Sequence, residues 1–224
     1  MQLNNNSKAG LGALLTPNNS ILILIDHQPF QFAGLRSHDS QSLINNVVTL
    51  AKTAKAFGVP TLLTTVIADR GGHIIPQLQA VFPDQQPIDR TTLNTWEDTR
   101  VIEWVKAQGK KKIIMAGLWT EICLAFPAIQ AAGEGYEVYA VTDASGGVTR
   151  ESHDMAVLRM VQAGVTPITS RVVGAELQRD WARLETVEAF AEIVSNHFGN
   201  VGTTFIWEQQ LLNTPVPENP GGGI

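Results

Sequence analysis

Apolar residues gather in five short runs along the chain: ILILID (21–26), TLLTTVI (61–67), KIIMAG (112–117), YEVYAV (136–141) and GVTPIT (164–169). Within each run they are consecutive rather than alternating, which predicts strands covered on both faces. Between the runs the period lengthens to three and four. Leu43, Val47, Leu50, Ala51 and Ala54 share one face of a helix over 40–57, and Val101, Ile102 and Val105 share one over 97–108. Residues 121–134 and 152–163 continue the series. Strand–helix alternation predicts an α/β fold with a mostly parallel sheet, helices on both faces and right-handed crossovers. A short strand around Pro87–Arg90 brings the sheet to six strands.

Outside this repeating unit the texture changes. Residues 1–17 are polar and rich in Gly and Asn, and read as an N-terminal arm without order of its own. Residues 18–184 carry the repeating unit. Residues 185–213 place Val187, Phe190, Ala191, Ile193 and Val194 on an amphipathic helix followed by TTFIWEQQLL. That stretch reads as an extension packing on the core or on a neighbouring subunit. The Pro/Gly-rich residues 214–224 read as a disordered tail.

Composition narrows the functional classes. The 224 residues are 44% hydrophobic and 17% charged, with a net charge of −5, against roughly 25% charged in an ordinary globular chain. A disordered protein is excluded, and much of the surface is expected to be covered by other subunits. Basic residues form no stripe beyond Lys110, Lys111 and Lys112, so nucleic acid is not an expected partner. No apolar run is long enough to span a membrane, and the first twenty residues show no secretory pattern. The single cysteine cannot form an internal disulfide, which fits a cytoplasmic setting.

In open α/β sheets ligands bind at the carboxyl ends of the strands. Asp26 closes the first strand there, and Cys123 follows the KIIMAG strand in the first turn of the next helix. A helix amino end favours thiolate, and an aspartate against an apolar strand end is poorly solvated and more basic. Together they form an activated-nucleophile pair. The same residues also fit plainer roles: a small core filler for the cysteine and a turn or helix cap for the aspartate.

The run AGLWTEICLAFPAIQAAGEGYEVYAVTDASGG (116–147) resembles the isochorismatase-like cysteine hydrolases, and most nearly their YcaC-related branch. ILILIDHQ (21–28), RTTLNTWED (90–98) and ELQRDWA (176–182) look like the same branch, so the resemblance covers residues 18–184. It implies a Rossmann-like three-layer sandwich with a six-stranded sheet. It also implies a catalytic triad of Asp26 as base, Cys123 as nucleophile and a basic third member. That member is usually lysine. Here the matching position is Arg90, and no lysine lies between Lys55 and Lys106. Arginine can hold Asp26 and steady a thiolate but cannot pass a proton. The resemblance further implies a cis peptide between Leu118 and Trp119, with the Trp119 and Cys123 N–H groups forming an oxyanion hole.

Other residues receive smaller roles. Gln28 and Trp96 are candidates to line the pocket, although Trp96 equally suits a helix interface. His27 reads as a packed histidine and Asp143 as a turn-former. Asp69 and His73 lack the Asp-x-His spacing of metal-binding nicotinamidases, so neither metal nor other cofactor is expected. The resulting expectation is a metal-independent hydrolase of a small amide or related carbonyl compound, working through a thioester. Isochorismatase proper uses no cysteine nucleophile, which makes Cys123 an argument against vinyl-ether cleavage. A thiol-based redox or ligand-binding module is the alternative. Low charge, apolar helices such as LAFPAIQAA and the C-terminal extension predict a homo-oligomer: dimer, tetramer or octamer.

Overall fold

A computed structural model describes residues 9–213. Six strands, β1 (Ser20–Ile25), β2 (Thr61–Val66), β3 (Ile88–Arg90), β4 (Lys112–Gly117), β5 (Glu137–Val141) and β6 (Thr166–Ile168), form one sheet in the order β3-β2-β1-β4-β5-β6. Every neighbouring pair is parallel. The winding reverses between β1 and β4, where Ile25 pairs with Gly117. Each strand predicted from the apolar runs is present, and the short one at Ile88–Arg90 adds the sixth.

The helices, in chain order, are α1 (Pro29–Ala33), α2 (Ser40–Ala56), α3 (Ala68–Gly71), α4 (Pro76–Gln79), α5 (Thr99–Gln108), α6 (Ala125–Gly133), α7 (Arg150–Gln162), α8 (Ser170–Gln178), α9 (Leu184–His197) and α10 (Asn200–Asn213). On one face of the sheet Leu22, Leu24 and Ile114 pack with Leu50 and Ala51 of α2 and with Val173 and Leu177 of α8. On the other face Ile21, Ile23 and Met115 pack with Val101 of α5, Ala128 of α6 and Met160 of α7. Alternate residues of β1 thus feed opposite layers, which explains why the run ILILI carries no polar position.

Two sequence expectations need correction. The arm is not a loose lead-in over its whole length. Leu15 is fully buried in the core, its N–H donates to Glu176 at 2.7 Å, and its carbonyl accepts from Arg179 at 2.9 Å. The Lys112 ammonium donates to the Gly12 carbonyl at 2.8 Å, and the Tyr139 hydroxyl donates to Ala13. Residues 1–8 and the tail 214–224 lie outside the described residues.

The extension takes the first of its two expected places, on the core. It is two helices parted at Gly199, which takes a left-handed φ of 60°, and Phe190, Ile193 and Val194 of α9 belong to the main core. Conversely, LAFPAIQAA is not a source of exposed surface, because Leu124, Ala125, Pro127, Ala128 and Ala131 are buried within the protomer. The last helices do expose apolar side chains, Leu184, Trp207, Leu211 and Leu212, as do Met155 and Leu158 of α7 and Phe30, Ile67 and Leu93.

The docked arm carries a stability prediction. Leu15→Ala empties a fully buried site far from the strand carboxyl ends, and losses of about 2–5 kcal/mol follow such truncations. Urea unfolding of the variant is expected to show a lowered midpoint with an unchanged slope. An unshifted midpoint would show that the arm contributes nothing to the fold.

Candidate active site

Asp26 stands immediately beyond β1 in the left-handed region, φ 56°, a conformation that Asp adopts more readily than most residues with a side chain. Its N–H donates to the Thr64 carbonyl at 3.0 Å. Its carboxylate accepts from the Thr64 hydroxyl at 3.3 Å and from Arg90 at 2.5 Å, with both charged side chains wholly inaccessible to solvent. Arg90 ends β3, so its side chain must cross β2 to reach β1, about 10 Å at sheet spacing. Its second terminal nitrogen donates to the Thr92 carbonyl.

Cys123 arrives from the other side of the winding reversal. After β4 the chain takes a cis peptide at Leu118–Trp119 and a single π-helical turn, Thr120–Leu124, a feature that recurs at functional sites. The Trp119 carbonyl accepts from the N–H groups of Ile122, Cys123 and Leu124 at 3.1, 2.8 and 3.4 Å. This wide turn brings the Cys123 thiol close enough to the Asp26 carboxylate for each to shift the other's ionisation. Asp26, Arg90 and Cys123 therefore meet at one point, delivered by the ends of β1, β3 and β4.

Burial sets the charge state. It raises Asp26 to about 6, against the opposing pull of Arg90, Cys123 and Thr64. Burial, together with the Asp26 charge, also pushes the Cys123 thiol up. Near neutral pH the pair is thus a carboxylate beside a protonated thiol. The thiolate expected from a helix amino end is not the resting state, because a 5% exposed sulfur beside an anion outweighs a partial positive charge.

Cys123 opens on a cavity of about 410 Å³ whose apolar walls are Phe30, Val66, Ile67, Leu93, Trp119 and Ile122. The Trp119 ring is fixed on two sides. Its Nε1–H donates to the Gln31 carbonyl at 2.9 Å, and Gly34 lies so close that a Cβ there would come within 2.7 Å of the ring.

Of the two candidate lining residues, neither faces this cavity. Gln28 is buried with its amide fully engaged, accepting from the Val66 N–H at 2.8 Å and donating to the Gly72 carbonyl at 2.6 Å. It therefore ties α1 to the loop after β2. Trp96 is 2% exposed and packs edge-on against Tyr136 at 5.5 Å. His27 is fully buried, donates from Nε2 to the Ala144 carbonyl at 3.0 Å, and is held neutral by burial, at about 4. Asp143 accepts from the N–H and hydroxyl of Ser170 at 2.7 and 2.9 Å, securing the start of α8. Asp69 and His73 are exposed, and among the described residues no group of three His, Cys, Asp or Glu side chains is placed to hold a metal. The Cys123 N–H, expected to serve an oxyanion, is engaged with the Trp119 carbonyl, so a substrate oxygen there must share it.

Sequence reading missed Thr64, Gln31 and Ile67. Thr64 could have been found as a polar interruption inside an apolar strand. Ile67, at a left-handed φ of 46°, left no trace in the sequence.

A family model, the isochorismatase domain, matches residues 20–172. The probable hydrolase YcaC of Escherichia coli is 40% identical over 185 residues, covering 82% of this chain and 88% of that one. The crystal structure of the YcaC gene product from Escherichia coli, described as an octameric hydrolase of unknown specificity, superposes with a TM-score of 0.84 at 37% identity. It covers 88% of this chain and 97% of that one. YcaC from Pseudomonas aeruginosa, in a structure with hexane-2,5-diol and covalent acrylamide, gives 0.83 at 35% identity, covering 90% and 98%.

The charge state predicts a pH profile. Asp26 accepts the thiol proton only as carboxylate, so alkylation of Cys123 by iodoacetamide, followed by mass, is expected to slow as pH falls through about 6. Because the Arg90 charge lowers Asp26, Arg90→Gln is expected to move this limb to higher pH. A rate flat between pH 5 and 7, or a limb moved downward by Arg90→Gln, would contradict the assignment.

Proposed function

The chain belongs to the isochorismatase family, and from that premise we propose that it is a cysteine-nucleophile hydrolase of small amides or related carbonyl compounds, working through a thioester. The observation that carries the reading is the convergence of Cys123, which lines an apolar cavity, with the buried Asp26–Arg90 pair behind it. The Cys123 sulfur attacks the carbonyl carbon while its proton passes to Asp26, so a free thiolate never accumulates. The oxyanion rests on the Trp119 N–H and on the Cys123 N–H, the latter shared with the Trp119 carbonyl. Protonated Asp26 then hands its proton to the leaving nitrogen, the C–N bond breaks, and the thioester remains. Water enters with Asp26 again as base, and acid and free thiol leave the cycle balanced. Arg90 stays charged throughout and keeps Asp26 low enough to be a carboxylate at neutral pH.

A redox sensor is favoured less, because it needs an accessible thiol of low pKa, and Cys123 is 5% exposed and pushed upward.

We also propose a homo-oligomer. The octameric relative points that way, as do Leu184, Trp207, Leu211 and Leu212 of the last helices, exposed by 61–79%. An apolar surface of this kind usually marks an interface.

Two outcomes are expected. Cys123→Ala and Asp26→Asn each abolish ammonia release from small amides while leaving the circular dichroism spectrum intact, since nucleophile and base act as one unit. Retention of more than about a tenth of the wild-type rate, ~1.4 kcal/mol, in either variant would end the mechanism. For assembly, light scattering of the full chain should give a dimer or larger, and Leu184→Glu with Leu211→Glu should reduce it. Truncation is the poorer test, because α9 supplies core side chains. A monomeric wild type would refute the assembly.

A further inference from the structure

The turn that carries Cys123 is shaped from within and placed from without. The N–H groups gathered by the Trp119 carbonyl set its curvature, but not where it stands relative to β1 and Asp26. Polar contacts from other elements do that. The Thr120 N–H donates to the Gly146 carbonyl at 3.0 Å, and the Val148 N–H donates to the Glu121 carboxylate at 3.1 Å. Both belong to the loop after β5. A third contact comes from the first turn of α7, where Nδ1 of His153 shares a 2.9 Å hydrogen bond with the Thr120 hydroxyl.

His153 is locked where it makes that bond. Thr120 and His153 are both buried, and a buried hydrogen bond is costly to leave unmade. The His38 ring packs edge-on against the His153 ring, with centroids 4.6 Å apart. Nδ1 of His38 is bonded in turn to the Ser37 hydroxyl at 2.7 Å, and that oxygen accepts from the Gly147 N–H at 2.8 Å. A Cβ on Gly147 would come within 2.6 Å of Glu121 Oε2 and 3.3 Å of His153 Cβ, so loop, turn and helix close on one another without slack. Burial, and then His38, push His153 down to about 4, which keeps its ring neutral near neutral pH. Neither His153 nor Thr120 lines the cavity beside Cys123, so neither is placed to meet a ligand there.

We propose that His153 is a positioning residue for the nucleophile: by holding the Thr120 hydroxyl it fixes the place of the Cys123 thiol beside Asp26. The same hold sets the N–H groups of Trp119 and Cys123 offered to the oxyanion, because they belong to the same turn. The inference rests on the hydrolase reading for its effect on turnover, but not for its effect on thiol reactivity. Without the bond the turn keeps its internal curvature and drifts as a unit. Misplacing a reacting group by ~1 Å costs on the order of a hundredfold in rate, so a drift too small to unfold the chain is still read in the chemistry.

The rate of Cys123 alkylation by iodoacetamide, measured above the Asp26 limb and normalised to folded protein, reads the placement directly. His153→Leu and Thr120→Val are each expected to slow it about tenfold. The double variant should be no slower than the slower single one, because all three lose one and the same bond. His153→Asn, whose side-chain amide can bond from the place of Nδ1, is expected to stay within about threefold of wild type. Should His153→Leu fail to fold, Thr120→Val decides alone, since it removes the hydroxyl and keeps the outline of the side chain. An unchanged rate in Thr120→Val, multiplied losses in the double variant, or His153→Asn as slow as His153→Leu overturns the proposal. So does a lowered unfolding midpoint with alkylation unaffected, which marks a merely structural bond. In ammonia release from small amides the same variants are expected to lower kcat while KM holds. His153-dependent alkylation in a wild type that releases no ammonia refutes the hydrolase and leaves the positioning standing. Turnover and alkylation both indifferent to His153 do the reverse.

Discussion

The site is organised around a single buried ion pair. Asp26 and Arg90 meet at 2.5 Å with neither side chain accessible to solvent, and burying two charges is worthwhile only when geometry and further hydrogen bonds make up the lost hydration. The surroundings meet that condition in part. Thr64 donates to the same carboxylate, and the Thr92 carbonyl takes the other end of the guanidinium, although the Arg90 Nε has no partner. The pairing requires β3 to lie at the sheet edge, two strands from β1, and in register with Val66 opposite Arg90. A shift of one residue in that three-stranded stretch would turn Arg90 to the opposite face and leave Asp26 buried without its counter-charge.

The same pair bears on the reaction proposed above. A carboxylate near 6 is a weak base toward a buried thiol, so in that proposal proton transfer accompanies formation of the carbon–sulfur bond. A lysine could have exchanged protons with this pair, whereas the guanidinium cannot. Its contribution is confined to electrostatics and to the fixed fork geometry that bridges β1 and the loop after β3.

The layered architecture was legible because strands covered on both faces leave uninterrupted apolar runs, and because Leu43, Val47 and Leu50 of α2 repeat at helical steps. Asp26 and Cys123 were legible as candidates at strand ends, which the fold brings together, and Arg90 only through the family pattern. What escaped depends on contacts distant in sequence. Leu15 looks like one apolar residue in a polar arm, yet its anchors are Glu176 and Arg179, more than 160 positions away. Gln28 caps α1 and Gln31 lies within it, and nothing in the sequence tells that the Val66 and Gly72 backbone engages only the first. Trp96 was left between the pocket and a packed interface, and Tyr136, forty residues on, decides for packing.

The arm and the chemistry occupy opposite ends of the sheet. Lys112 opens β4 and grips Gly12, whereas the turn bearing Cys123 follows Gly117, and six residues of strand at ~3.3 Å each put about 20 Å between them. A protomer immobilised on a bead or electrode through its amino-terminal arm would therefore present the cavity mouth away from the support, leaving small molecules an unobstructed approach.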